Sequence, residues 1–312
     1  MIATGVVSAA TLSRAIVSFF QDLVDVPMAV GIVAIVVLLT GIAIWGILES
    51  VWVAAVVTVI EVGGLIWVLA VNAKWLSTLD DRFSELVPDF AWDQWSGILV
   101  ASFLAFYAFI GFEDMVNEAE EVKKPRRNLP LCILLALVIT TVLYVLIALI
   151  AVLAVAPERL AESQTPLALL VSQQGPSARV MMIMVSMLAG ANGALVQIVM
   201  SSRVAYGMAG QQMGPRMLAA VHPKLQTPVN ATLLMSGIIL VLAIGLPLES
   251  LAKTTSAIML VNFSLVNAAL VRLKLRADEV PKEIVQYPLV VPILGCITCV
   301  SFLAIQLLAM PA

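Results

Sequence analysis

Residues 103–130 read FLAFYAFIGFEDMVNEAEEVKKPRRNLP, and three kinds of chemistry follow one another along this stretch. An apolar run long enough to belong to a membrane helix enters an aromatic and glycine cluster of Phe106, Tyr107, Phe109, Gly111 and Phe112, and then acids give way to bases. The apolar part can sit in lipid, and Gly111 weakens the helix at a point where backbone groups can be freed. Lys123, Lys124, Arg126 and Arg127 must stay in water, which marks the loop from Lys123 to Arg127 as cytoplasmic. Glu113 and Asp114 fall between lipid and water. An acid at the end of a membrane helix is seldom there for packing, although a solvated, inert helix end is the competing reading for both.

The rest of the chain agrees with a membrane setting. In 312 residues, 62% are hydrophobic and 12% charged, and the mean hydropathy is +1.06, which excludes a soluble globular domain. The class is all-α, integral to the membrane. A net charge of -3, with the bases split among short loops, gives no argument for a nucleic acid partner. Cys132, Cys296 and Cys299 all lie in apolar runs, so a disulfide framework is not expected. The first twenty residues lack a basic region ahead of the apolar run and carry Arg14 inside it, so they read as a span and not as a signal peptide.

A bilayer core of about 30 Å needs about 20 apolar residues in a helix. On that template about nine spans emerge, at 3–21, 27–47, 50–72, 95–116, 129–155, 178–207, 229–246, 249–271 and 287–309. Lipid cannot satisfy loose backbone groups, so continuous helices are the expected form. With the Lys123–Arg127 loop cytoplasmic, alternation places the 208–228 and 272–286 loops on the same side. Together with the helix end at Arg203, these loops hold Lys123, Lys124, Arg126, Arg127, Arg203, Arg216, Lys224, Arg272, Lys274, Arg276 and Lys282, eleven of the seventeen bases. Lys74, Arg82, Arg159, Arg179 and Lys253 fall opposite, and the asymmetry supports the orientation. Pro166 to Leu170 has the pattern of a short helix on the outer surface, and Trp92 and Trp95 that of an interfacial anchor.

Polar residues inside the spans are the candidate functional groups. Glu61 lies near the middle of the third span, where an ionised carboxylate costs several kcal/mol, about 2.5–3.5 on the cautious scales. Either it is a proton or cation site, or it is a protonated or paired acid, with Arg14 as a possible partner, that clips helices together. In the sixth span Gly190, Gly193 and Ala194 permit close helix packing. Asn192 and Gln197 are polar at mid-membrane, and Gly193 and Gln197 share a face. An interhelical hydrogen bond is the simpler reading for both. The lone Cys296–Cys299 pair has no histidine near it in sequence, His222 precedes Pro223 in a turn, and no phosphate loop, dinucleotide fingerprint or nucleophile motif appears. No enzyme, cofactor or metal site is expected.

Two blocks carry a family resemblance. AFIGFEDMVNEAEEVKKPRRNLP, residues 108–130, resembles the sixth transmembrane helix and following loop of amino acid permeases of the amino acid, polyamine and organocation superfamily. SSRVAYGMAGQQMGPRMLAAVHPKLQTPVNAT, residues 201–232, is similar to that family's eighth helix and the loop to its ninth. The resemblance implies a LeuT-like fold of two inverted five-helix repeats, with a central site between the broken first and sixth helices. The nine spans would then match family helices three to eleven within one transporter domain over 1–312, with the first two helices and the twelfth missing.

By the same resemblance the function is secondary amino acid transport, as symport or exchange, coupled to protons. The alternative is a truncated, non-transporting fragment that acts at most as an interaction partner in the membrane. The unwound part of the sixth helix falls at Ala108, Phe109, Ile110 and Gly111, whose backbone would face the substrate amino group. Phe106, Tyr107 and Phe109 would shape the side-chain pocket, and Gln197 would line it from the eighth helix. Glu61 falls where some members carry a fifth-helix lysine, and with Glu113 it is the candidate for proton coupling. The partners expected are an amino acid, protons and the bilayer, and the short loops without targeting segments suggest the bacterial plasma membrane.

Overall fold

The computed structural model describes residues 1–46, 51–117, 122–276 and 287–309; Lys282, counted above among the loop bases, lies outside them. Along the chain run α1 (Ile2–Gln21), α2 (Met28–Trp45), α3 (Val51–Asn72), α4 (Leu79–Leu86), α5 (Trp92–Ala105), α6 (Asp114–Asn117), α7 (Pro125–Ala154), α8 (Pro157–Glu162), α9 (Pro166–Val171), α10 (Pro176–Gly210), α11 (Val229–Gly245), α12 (Leu248–Leu275) and α13 (Val290–Ala309). No strand occurs among the described residues. Among the described residues seven helical stretches are long and apolar enough to cross a membrane, and Val229–Gly245 and Val290–Gln306, at the seventh and ninth expected spans, are shorter apolar helices.

Proline sets several of the starts. Pro157, Pro166 and Pro176 each open a helix, where the missing N–H would have had no partner in any case. The short helix expected from Pro166 onward is α9. Three helices run further than their apolar windows: α7 carries Arg126 and Arg127 in its first turn, α12 carries Arg272 and Lys274 in its last, and α10 continues seven residues beyond Arg203. Long basic side chains reach water from a helix end, so the helix need not stop where hydropathy does.

Packing divides the chain into two units. The first, Met1–Val87 with Val142–Leu251, is arranged around α10, which touches α1, α2, α3, α9 and α11. Small residues make the α1 contact close: Thr4, Gly5, Ser8, Ala9 and Ala10 are all buried. Thr11 bonds back to the Val7 carbonyl of its own helix at 2.8 Å and so demands no outside partner. Arg14 donates from Nη1 to the Ala243 carbonyl in the last turn of α11 at 2.7 Å, a favourable place for a cation because carbonyls there lack helical partners.

A further core cluster in this unit joins Val68 of α3 to Ala168, Leu170 and Val171 of α9 and Met182 and Ile183 of α10. Asn72 fixes α9 there, donating from Nδ2 to the Leu170 carbonyl at 3.2 Å and to Val68 in its own helix at 3.0 Å.

The second unit is Pro88–Thr141 with Ala252–Ala312. In it α13 lies against α5. Gly295 of α13 comes so near Asn267 of α12 that a Cβ there would stand 2.8 Å from the amide oxygen. Cys296 Sγ lies 3.9 Å from the Ser264 carbonyl one turn away, and all three cysteines are free thiols.

Candidate functional site

The break anticipated in the fourth span is present in the second unit. α5 ends at Ala105, Phe106–Phe109 forms a 3-10 turn, Ile110 is extended at φ -70° and ψ 136°, and a helical turn resumes only at Asp114. Gly111 has φ 131°, a conformation costly for any residue with a Cβ, so the glycine permits the chain to change direction. Ile110 N–H donates to the Tyr107 carbonyl at 3.2 Å, and Asp114 N–H to the Gly111 carbonyl at 3.2 Å. The Gly111 N–H donates to Glu113 Oε2 at 2.8 Å, and Glu113 is only 7% exposed. The acid that could have been a solvated helix end is therefore a buried acceptor that ties the break together.

One residue outside the sequence-based set joins this group. Phe263 of α12 stacks on Phe112, with ring centroids 5.4 Å apart and planes at 26°, and meets Phe106 edge-on at 6.2 Å and 88°. Phe106 opens the break and Phe112 follows Gly111, so one ring contacts both its beginning and its end. Sequence spacing carries no such signal, because Phe263 stands among aliphatic and small residues, 151 positions beyond Phe112 by subtraction.

The remaining candidates lie in the first unit. Asn192 Nδ2 of α10 donates to Glu61 Oε1 of α3 at 3.2 Å. Arg14, considered above as the partner of Glu61, is engaged with α11 instead. Gly64, one turn beyond Glu61, lets Val185 of α10 approach to 2.9 Å of where its Cβ would be.

Gln197 belongs to a different face of α10. A Cβ on Gly5 of α1 would stand 3.0 Å from Gln197 Oε1 and would overlap Ser201 Oγ, while Ser201 Oγ bonds the Gln197 carbonyl at 2.5 Å. Gly190 and Gly193 face Ile16 and Leu12 of the same helix. Gln197 thus lies in the α1 seam, and Asn192, five residues earlier and turned well around the helix, meets α3. The structure joins Phe106, Tyr107, Ala108, Phe109, Ile110 and Gly111 with Glu113, joins Glu61 with Asn192, and keeps Gln197 apart from Glu61 on another side of α10.

A family model described as amino acid permease matches residues 1–312. An uncharacterized transporter of Mycobacterium tuberculosis is 30% identical over 271 residues, which is 86% of this chain and 59% of that protein. A mitochondrial cationic amino acid transporter of Arabidopsis thaliana is 29% identical over 83% of this chain and 42% of its own length. A branched-chain amino acid permease of Bacillus subtilis is 28% identical over 60% and 40% respectively. The chain spans less than two thirds of the length of each of these relatives.

Proposed function

The chain belongs to the amino acid permease family, and from that premise we propose that it serves secondary active transport of amino acids, coupled to protons, in a bacterial plasma membrane. The observation that carries the proposal is the break at Phe106–Gly111: a membrane-type helix interrupted by a 3-10 turn, an extended residue and a positive-φ glycine whose N–H donates to the buried Glu113 carboxylate. Interrupted helices of this kind occur at membrane depth where backbone lines a cavity or a substrate path.

In this reading the backbone of Ala108 to Gly111 receives the substrate amino group, and Phe106, Tyr107 and Phe109 set the room for its side chain. Gln197, on the α1 side of α10, is a candidate polar contact for substrate. Glu61 is the proton-coupling acid, because a carboxylate held in a span by one uncharged donor is a costly arrangement that transport explains, and Glu113 is the second titrating acid. The loop from Lys123 to Arg127 is cytoplasmic, supported by the distribution of bases, and residues 1–312 act within a single transporter domain.

The names of the relatives include cationic and branched-chain amino acids, so both belong in the test panel with aromatic and small neutral ones. Purified chain in proteoliposomes should accumulate at least one labelled amino acid, faster under an inward proton gradient. No uptake of any member by chain shown to be folded would overturn the reading.

A further inference from the structure

We propose that Asn192 is the positioning residue for Glu61, an amide that keeps one hydrogen bond to the carboxyl whether or not the carboxyl carries a proton. The proposal rests on the transport reading of Glu61 and deepens it, by assigning the group that holds the acid through a cycle of protonation.

The pairing joins two helices. Asn192 Nδ2 of α10 donates to Glu61 Oε1 of α3 at 3.2 Å, and the described residues give neither side chain a further hydrogen bond or ion pair. Charge is scarce around the pair. α3 packs chiefly on α10, on α9 and on the turn that follows it, Ala73–Thr78. Glu61 is the one charged residue of α3, and α9 has none. On α10 the titratable groups are Arg179, Arg203 and Tyr206, which by subtraction stand 13, 11 and 14 positions from Asn192, each at least about 16 Å away along the axis. Lys74, in the turn, stands 13 positions beyond Glu61.

An uncharged amide suits this place because it has two faces. An ionised carboxylate only accepts, whereas a protonated carboxyl has an O–H to give. Asn192 offers an N–H to the first and its Oδ1 to the second, by a half-turn about a terminal torsion whose wells are broad. A lysine there could serve only the ionised form, and an aliphatic chain neither. The helix contact itself does not depend on this bond. Val185 Cγ1 of α10 lies 2.9 Å from where a Gly64 Cβ would be, and Val68 packs with Met182 and Ile183. These contacts run along the same two helices, so removing the amide separates positioning from assembly.

Asn192→Gln keeps a donor and an acceptor, Asn192→Lys keeps donors alone, and Asn192→Leu keeps neither at similar size. The first readout needs no transport: the infrared difference spectrum, between low and high pH, of the purified chain in vesicles. The carboxyl carbonyl band that Glu61→Gln removes should stand at lower wavenumber in the parent and in Asn192→Gln than in Asn192→Leu, where the carboxyl has lost its partner. The second readout is uptake driven by a proton gradient. Asn192→Leu and Asn192→Lys should each cut it at least about fivefold, while exchange of labelled for unlabelled amino acid persists, and Asn192→Gln should preserve it. Size-exclusion profiles confirm that folded protein is being read, with Asn192→Ala replacing the Leu variant if that one aggregates.

Parent-level gradient stimulation in Asn192→Leu, a carboxyl band that it leaves unmoved, or equal losses in the Gln and Leu variants would overturn the positioning role. So would the lack of any pH-dependent carboxyl band that Glu61→Gln removes. Failure of the parent chain to take up any amino acid would overturn the transport reading instead, and the infrared band would still decide whether Asn192 holds the acid.

Discussion

Asn192 on α10 meets Glu61 on α3 at 3.2 Å, so the acid in the middle of the third span has an amide for its partner and not a base. An amide donor can bond the carboxylate without cancelling its charge. The proton-coupling role proposed for Glu61 requires its carboxyl to gain and lose a proton while this helix contact stays in place.

Replacing Glu61 by Gln preserves shape and an acceptor oxygen for Asn192 but abolishes titration. Uptake stimulated by a proton gradient should fall to the level seen without one, while exchange of labelled for unlabelled amino acid across the vesicle persists. Gradient-stimulated uptake by the Gln variant would sink the coupling role.

Gly5→Ala places a methyl where Ser201 Oγ and Gln197 Oε1 already stand. Overpacking of this kind costs about 1–3 kcal/mol, which should appear as a lowered midpoint in thermal unfolding. Ser201→Gly combined with Gly5→Ala should recover much of the loss, because the two sites compete for one space.

Gly111→Ala is a different case, since no neighbour lies within 4 Å of the added carbon. The penalty comes from φ 131° alone, about 1–3 kcal/mol. Alanine and serine should therefore cost nearly the same in stability, and a penalty that grows with side-chain size would argue against a backbone cause.

Arg179 Nη2 and Asp22 Oδ2 form an ion pair at 2.7 Å with the arginine side chain half exposed. Exposed pairs contribute about 0–1 kcal/mol. Asp22 also accepts from Thr165 Oγ1 at 2.9 Å. Asp22→Ala should thus lower the unfolding midpoint more than Arg179→Ala, and added salt should weaken only the arginine contribution.

Hydropathy alone revealed the spans, because a helix in lipid must be apolar over its whole crossing, and the expected limits differ from the observed ones mainly where Arg126, Arg203 or Lys274 extends a helix into water. At the break the residues showed only that Gly111 weakens the helix; placing the unwound segment at Ala108–Gly111 came from the resemblance to amino acid permeases. Pairings between helices were not legible. Arg14 and Glu61 are the two charged residues within the first three spans, and charge suggested that they meet; α1 instead carries Arg14 to a carbonyl at the end of α11. Phe263 was invisible because a ring's partners depend on helix rotation, which hydropathy does not encode.

The length of α10 has a mechanical consequence. Its 35 residues make a rod of about 52 Å at 1.5 Å per residue, against hydrocarbon about 30 Å thick. The surplus overhangs the bilayer or is taken up as tilt. Gly210 stands 18 residues from Asn192, about 27 Å away along the axis. Pivoting by about 5° at Asn192 would swing that end by roughly 2 Å over this arm, so a movement small enough to leave the Glu61 hydrogen bond intact is magnified where the helix meets water.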